Sequence, residues 1–481
     1  MQHFRDIKKV GSSFVVNLTF GSIRSVLVMQ ILGPTLMGAW KSALLLDSIG
    51  DWARLGVSRG ASLQVPMLDA RHNRGDADRI ASAAGTFNLL LAMALFTGIF
   101  LASFLVRNPD VRLAMRLIAV VTAVCQPYYA LRDLASARHL FAVRSKETLL
   151  RAVVDLGAAV LLAKLFGLAG FGIGSMLPTL VGALYLQHHV RLAFRLRPDP
   201  PRIKSLIACG FPFSLTEAGF ELVRRLDVLV MALVLGPTFV GYYGVAFLIM
   251  DFSAVLAQKG MAEVLSPHLL REFGRTGSFS DVALFYEKPA RLFCYVLPPL
   301  LGVGAFLIPE CVRIALPKYL PGVPAAEITL WAVFFVAVHG SMSSFFVAAG
   351  KIPMVLKLYG VLACAGATAQ VVVMKEGLGL TGAAFTTLVT LSLVSSGEMI
   401  IARRVCGYSF RKIVPFLGSL YFPLVAAALL RIFVGSLNLD AVVPTVLQLP
   451  CRIMLLLLLY IPVLLAYENR FAMLRTIYQT I

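Results

Sequence analysis

The run ASAAGTFNLLLAMALFTGIFLASFLV, residues 81–106, contains no acidic or basic side chain. At about 1.5 Å of rise per residue in a helix, it exceeds the roughly 20 residues needed to cross a hydrocarbon core of about 30 Å. Shorter stretches of the same character recur at 149–166, 293–308, 328–347 and 454–466. Backbone groups in lipid must bond within their own segment or within a closed barrel. These runs are continuous and do not alternate with polar residues, so they read as helices. The whole chain agrees: 481 residues, 58% hydrophobic and only 14% charged, with a mean hydropathy of +0.82. Soluble domains are nearer half apolar and a quarter charged. The expected fold class is an all-α polytopic membrane protein with about 14 transmembrane helices.

Working outward from that run, helices are expected at 10–31, 38–58, 80–105, 112–131, 148–166, 168–190, 205–235, 240–268, 288–308, 325–348, 355–374, 378–401, 412–434 and 449–467. An even number places both termini on one side. Of the 44 Lys and Arg, 29 lie in or beside loops on that side, 10, Lys41 among them, in or beside loops on the other, and 5 deeper inside helices. Positive charge in short loops marks the cytoplasmic face, so both termini are expected in the cytoplasm. This distribution also accounts for the net charge of +19. It suits anionic lipid rather than nucleic acid, whose binding is not expected. No connection is long enough for a soluble domain, and no GxxxxGK[ST] phosphate loop is present. The seven cysteines lie in or beside apolar runs without a CxxC pair, as small hydrophobes do. Neither a metal nor a cofactor is expected. Asp76 and Asp78 fit a helix start, and His188–His189 a solvated helix end. Gln126–Tyr129 fits an aromatic belt at the membrane interface.

Two short patterns recur. LGPTLMG at 32–38 matches LGPTFVG at 235–241, displaced by 203, and GLAG at 167–170 matches GLTG at 379–382, displaced by 212. They imply two parallel six-helix repeats, 1–202 and 203–410, followed by two extra helices in 411–481. Such repeats are how rocking transporters are built around a central site.

Charge inside the apolar segments is concentrated in expected helices 1, 2, 7 and 8. Helix 1 carries Arg24 with Ser13 and Asn17. Helix 2 carries Lys41, Asp47, Asp51 and Arg54. Helix 7 carries Glu217, Glu221, Arg224, Arg225 and Asp227. Helix 8 carries Asp251, Lys259 and Glu263. A charge at mid-bilayer costs about 2.5–3.5 kcal/mol on insertion scales, so these side chains need a partner or water. Asp47, Asp51 and Arg54 share one helical face, as do Glu217, Glu221 and Arg224. Two readings follow: a hydrated cleft lined by these four helices, or pairs that neutralise each other and fix packing. Asp155 and Glu398 read as local pairing partners rather than ligand contacts.

The LGPxxxG turns at 32–38 and 235–241, Tyr242–Tyr243 after the second, Gly210-Phe211-Pro212, the GLxG turns and Leu316-Pro317-Lys318-Tyr319 resemble the multidrug/oligosaccharidyl-lipid/polysaccharide (MOP) flippase superfamily, in its Wzx-like polysaccharide transporter branch. The resemblance covers about residues 8–410. It implies a non-enzymatic secondary transporter of the bacterial inner membrane. Its substrate would be an undecaprenyl-diphosphate-linked oligosaccharide destined for O-antigen, capsule or exopolysaccharide. Membrane lipid and a glycan polymerase would be its partners. It further implies diphosphate contacts from Arg24, Arg54 and Lys259, with Arg224 and Arg225 as weaker candidates. Asp47, Asp51, Asp251, Glu217 and Glu221 would be coupling-ion or supporting carboxylates. The acidic residues on the four helices outnumber the basic ones, which departs from a plainly cationic cleft. A cation-coupled drug exporter and a peptidoglycan-precursor flippase of the same superfamily therefore stay open. A membrane polymerase or ligase fits less well, since the outward loops are short.

Overall fold

A computed structural model of the chain describes residues 2–192, 199–254, 283–438 and 444–471, with the side chains of 2–15 and a few others in this span left out. Every regular element among these residues is helical. In order they are α1 (Gln2–Ala53), α2 (Val57–Ala70), α3 (Arg74–Ala102), α4 (Pro109–Ala137), α5 (Phe141–Val190), α6 (Pro200–Arg224), α7 (Leu226–Val234), α8 (Pro237–Tyr242) and α9 (Gly244–Ala254). There follow α10 (Leu284–Ala315), α11 (Val323–Ala348), α12 (Ile352–Lys375), α13 (Gly379–Val405), α14 (Phe410–Ser436) and α15 (Thr445–Phe471). Eleven helices among the described residues are long and apolar enough to cross a membrane.

Two of these are long enough for more than one span. α1 has 52 residues and α5 has 50, each more than twice the length that crosses a hydrocarbon core. Each is broken at a glycine in a conformation closed to other residues: Gly33 at φ 70, ψ 175 and Gly167 at φ 58, ψ −133. The LGP and GLxG turns that separated expected helices 1 from 2 and 5 from 6 are therefore these kinks. α2, by contrast, occupies a stretch expected to be loop. Expected helix 7 is divided at Arg225 into α6 and α7, for a reason that lies in its side chains. Most of the end of expected helix 8, with Lys259 and Glu263, lies outside the described residues.

The chain forms two compact units, Met1–Gly219 with Met231–Gly244, and Phe220–Val230 with Val245–Ile481. In the first, α1 packs along α5 and α4 and receives α8, while α2 packs on α3 and α4. Its tightest approaches are backbone on backbone. A Cβ on Gly38 would lie 1.7 Å from the Pro237 carbonyl oxygen, and one on Gly241 would lie 1.8 Å from that of Pro34. The proline of each LGPxxxG stretch thus meets the glycine of the other, the reciprocity of a local two-fold contact. Gly236, at φ 88 and ψ 176, repeats the conformation of Gly33. A second approach joins Gly56 and Gly60 to α6: a Cβ on Gly210 would lie 2.0 Å from the Gly56 oxygen, and one on Gly60 would lie 2.2 Å from that of Leu206.

In the second unit α11 packs between α10 and α13, α12 packs on α13, and α14 and α15 close against α10. The core is aromatic, with Phe334, Phe345, Phe346 and Tyr286 almost fully buried. Arg403, counted above among loop charges, is instead buried within α13. Its Nη1 donates to Glu287 Oε1 at 2.5 Å, and its guanidinium lies 4.0 Å from the Phe416 ring centroid and 4.1 Å from that of Tyr408. Tyr128 and Tyr129 also depart from expectation. α4 runs on to Ala137, so the pair sits inside the helix and Tyr128 is buried. Asp76 does open a helix: Asn73 Oδ1 accepts from its backbone N–H in the first turn of α3.

Two outcomes follow for stability. Gly33→Ala or Gly236→Ala should each destabilise the protein by about 1–3 kcal/mol, because alanine is held in a region only glycine occupies readily. Glu287→Ala, which leaves Arg403 buried without its carboxylate, should cost about 3–5 kcal/mol. Melting temperatures of the purified variants in detergent, unchanged from the parent, would contradict either expectation.

Candidate functional site

Three polar clusters lie inside the apolar helices of the second unit. The first is at the break between α6 and α7. Arg224 Nε and Nη2 donate to the two Glu221 oxygens at 2.8 and 2.7 Å, a bidentate pair one turn apart. Its Nη1 and Nη2 reach Asp251 Oδ1 on α9 at 3.5 and 3.4 Å. Arg225 Nε donates to Glu221 Oε1, its Nη2 lies 3.7 Å from Asp251, and its guanidinium stands over Phe247 at 5.1 Å. The Arg224 side chain is only 5% exposed, against 28% for Glu221 and 35% for Asp251. Two cations and two carboxylates thus balance, and the carboxylates are the more accessible partners. Adjacent arginines converging on one carboxylate suit a chain that leaves the helix at Arg225 and restarts at Leu226.

One turn on, buried Asp227 accepts from the Val228 N–H at 2.7 Å in the first turn of α7, and from Thr387 Oγ1 at 3.0 Å. A carboxylate is favoured at that helix start by the macrodipole. Gln370 Nε2 donates to Thr387 Oγ1 at 3.1 Å and to the Ala383 carbonyl at 3.0 Å, while its buried Oε1 has no hydrogen-bond partner among the described residues. Carboxylate, hydroxyl and amide oxygens together are of the type that hard cations take. The third cluster is His339, Tyr359 and Glu398. Sequence reasoning passed over its histidine and tyrosine because single polar residues in apolar helices carry no spacing signal.

In the first unit the charged side chains are also partnered. Arg24 Nη1 donates to both Asp155 oxygens at 3.0 Å, joining α1 to α5. Asp155 therefore pairs over 131 residues, not locally. Asp47 Oδ1 accepts from Thr122 Oγ1 at 2.7 Å, and the Arg54 guanidinium lies 4.4 Å from the Tyr129 ring centroid. Thr122 and Tyr129 stand two turns apart on α4, so Asp47 and Arg54 do present one face, toward that helix. Tyr128 donates to Glu147 Oε1 at 2.9 Å and accepts from Arg151 Nη1 at 2.5 Å. Glu217 is exposed on α6. The Asp51 side chain and Lys259 lie outside the described residues. The structure thus brings Glu221, Arg224, Arg225 and Asp251 together, pairs Arg24 with Asp155, and sets Asp47 and Arg54 near Tyr129 on α4.

Residues 70–317 match the polysaccharide biosynthesis protein family. Among solved structures, the chain resembles the lipid II flippase MurJ in an inward closed conformation (TM-score 0.69, 12% identity, 96% of this chain and 98% of that one). It also resembles an inward-facing multidrug resistance MATE family transporter of the MOP superfamily (0.63, 16%, 81% and 95%). A third is a MOP superfamily transporter from Pyrococcus furiosus described as having a binding pocket of reverse polarity (0.60, 13%, 84% and 96%). No curated protein sequence matches the chain. At these identities the likeness speaks for the fold, and the family match spans half the chain. The chain belongs to the polysaccharide biosynthesis protein family.

Proposed function

We propose that the protein flips undecaprenyl-diphosphate-linked oligosaccharide, a repeat unit of O-antigen, capsule or exopolysaccharide, across the bacterial inner membrane by alternating access. The observation that carries this reading is the arginine pair at the α6–α7 break, held inside a membrane helix by two partly exposed carboxylates. A diphosphate offers the same planar oxygen pairs as those carboxylates and more charge, so it competes for the guanidinium forks. Arg224 and Arg225 grip the diphosphate as Glu221 and Asp251 let go. Arg24, Arg54 and Lys259 contribute along the path, Arg24 by exchanging Asp155 for the substrate. Asp47, Asp51 and Glu217 are supporting or coupling carboxylates. The sugar stays in water while the isoprenoid tail stays in lipid.

In this reading the chain crosses the membrane 14 times with both termini in the cytoplasm, as two parallel six-helix repeats (1–202 and 203–410) and two additional helices (411–481). The matched conformations of Gly33 and Gly236, and the reciprocal contacts of Gly38 with Pro237 and Gly241 with Pro34, support the repeat. A membrane potential negative inside favours outward movement by about 2.3 kcal/mol per uncompensated charge per 100 mV. A glycan polymerase takes the product. Asp47, held by a hydroxyl, favours a second reading, a cation-coupled drug exporter, because such a carboxylate is available to a cationic substrate.

Arg224→Ala/Arg225→Ala should abolish surface glycan on immunoblots, with the protein still present in the membrane fraction. Arg224→Lys should lower export at least about tenfold, since an ammonium keeps the charge but loses the fork. Arg24→Ala/Arg54→Ala/Lys259→Ala should likewise stop export. Normal glycan in the double-arginine variant, or increased drug resistance on overexpression of the parent, would overturn the lipid-glycan reading.

A further inference from the structure

His339 on α11, Tyr359 on α12 and Glu398 on α13 converge in the interior of the second unit. Glu398 is fully buried, Tyr359 2% exposed and His339 4% exposed. His339 Nδ1 lies 2.8 and 3.1 Å from the two Glu398 oxygens, and the Tyr359 hydroxyl donates to Oε1. The imidazole lies flat against Phe220 of α6, with 3.4 Å between centroids and 6° between planes. Phe220 immediately precedes Glu221, the carboxylate that holds Arg224 and Arg225.

We propose that His339 and Glu398 form a proton-binding site inside the membrane that is linked to occupancy of the Arg224 cluster through the Phe220 stack. Packing alone does not account for the choice of residues. An ionisable pair in an apolar core is costly, and apolar side chains of similar size pack there as well or better. Histidine is also the side chain whose charge changes most readily between pH 5 and 8. With one hydrogen shared between Nδ1 and the carboxylate, the pair carries a charge of −1. A second proton, taken from water, brings it to zero. The other titratable groups close to it among the described residues are Tyr421 of α14, whose hydroxyl is within 2.9 Å of Ser396 Oγ, Cys294 of α10, and the Glu221–Arg224–Arg225–Asp251 cluster beyond Phe220. Tyr359 donates to Glu398 in both states.

The direction of coupling follows from charge. An anion arriving at Arg224 and Arg225 adds negative charge to a cluster whose carboxylates already balance them, and this favours the protonated, uncharged form of the pair. Linkage is reciprocal, so protonation tightens anion binding by the same factor. Proton uptake on loading and release when the anion leaves would carry a proton outward with the anion and offset one of its charges. The inference rests on the reading of the Arg224 cluster as a diphosphate site.

The test is calorimetric titration of the purified full-length protein in detergent with farnesyl diphosphate as probe, in two buffers of different ionisation enthalpy near pH 7. The parent should take up a measurable fraction of a proton per probe bound. Glu398→Gln should bind within about threefold of the parent affinity with the uptake gone. An unchanged proton count in Glu398→Gln, or no uptake by the parent, would overturn the proposal. Failure of the parent to bind the probe refutes the diphosphate reading instead. The proton site is then decided without probe, by infrared difference spectra between pH 5 and 8. A carboxyl or imidazole band that titrates in the parent and is missing from Glu398→Gln supports it, and no such band in the parent excludes it. Should Glu398→Gln not remain monodisperse, His339→Asn takes its place in both experiments with the same expected results.

Discussion

A charge inside hydrocarbon must bring its counter-charge, and that constraint arranges most of what is polar in this protein. Arg24 takes Asp155 from α5, Arg403 takes Glu287 from α10, and Arg224 takes Glu221 and Asp251. Each pairing fixes one helix against another or against its own continuation. Removing one partner leaves an ion where its solvation is poorest, so the pairs resist change unless an anion or a proton arrives to take the vacated role.

Glycine supplies the complementary permission. Helices in lipid gain little from hydrophobic contact with one another, and close association depends on small residues that let backbones touch. Gly38 and Gly241 let the two LGPxxxG stretches meet carbonyl to Cα, and Gly56, Gly60 and Gly210 do the same for α6. These contacts carry no charge and add little directional hydrogen bonding. Their strength depends on shape, whereas the ionic clusters depend on electrostatics.

The three clusters of the second unit follow one another near the α6–α7 break. Phe220 stacks on His339, Glu221 holds the arginines, and Asp227 caps α7 and meets Thr387. A short run of residues thus touches a histidine–glutamate pair, an arginine pair and an Asp227–Thr387–Gln370 cluster. A helix broken at Arg225 has the freedom to change its local geometry that a continuous helix lacks.

Residue order and apolar run length alone determined the helical membrane architecture, the GLxG and LGP breaks and the four charged segments, because lipid permits few backbone solutions and charges stand out in it. Partner choice was decided only by the tertiary structure. Asp155 and Arg24 are 131 residues apart, and His339 meets Glu398 across 59. Arg403 and Tyr128 looked like loop and interface residues until their helices proved longer and buried them. Spacing along one helix tells which side chains share a face. It cannot tell which other helix that face will meet, since that depends on how several apolar surfaces of nearly equal character pack in three dimensions.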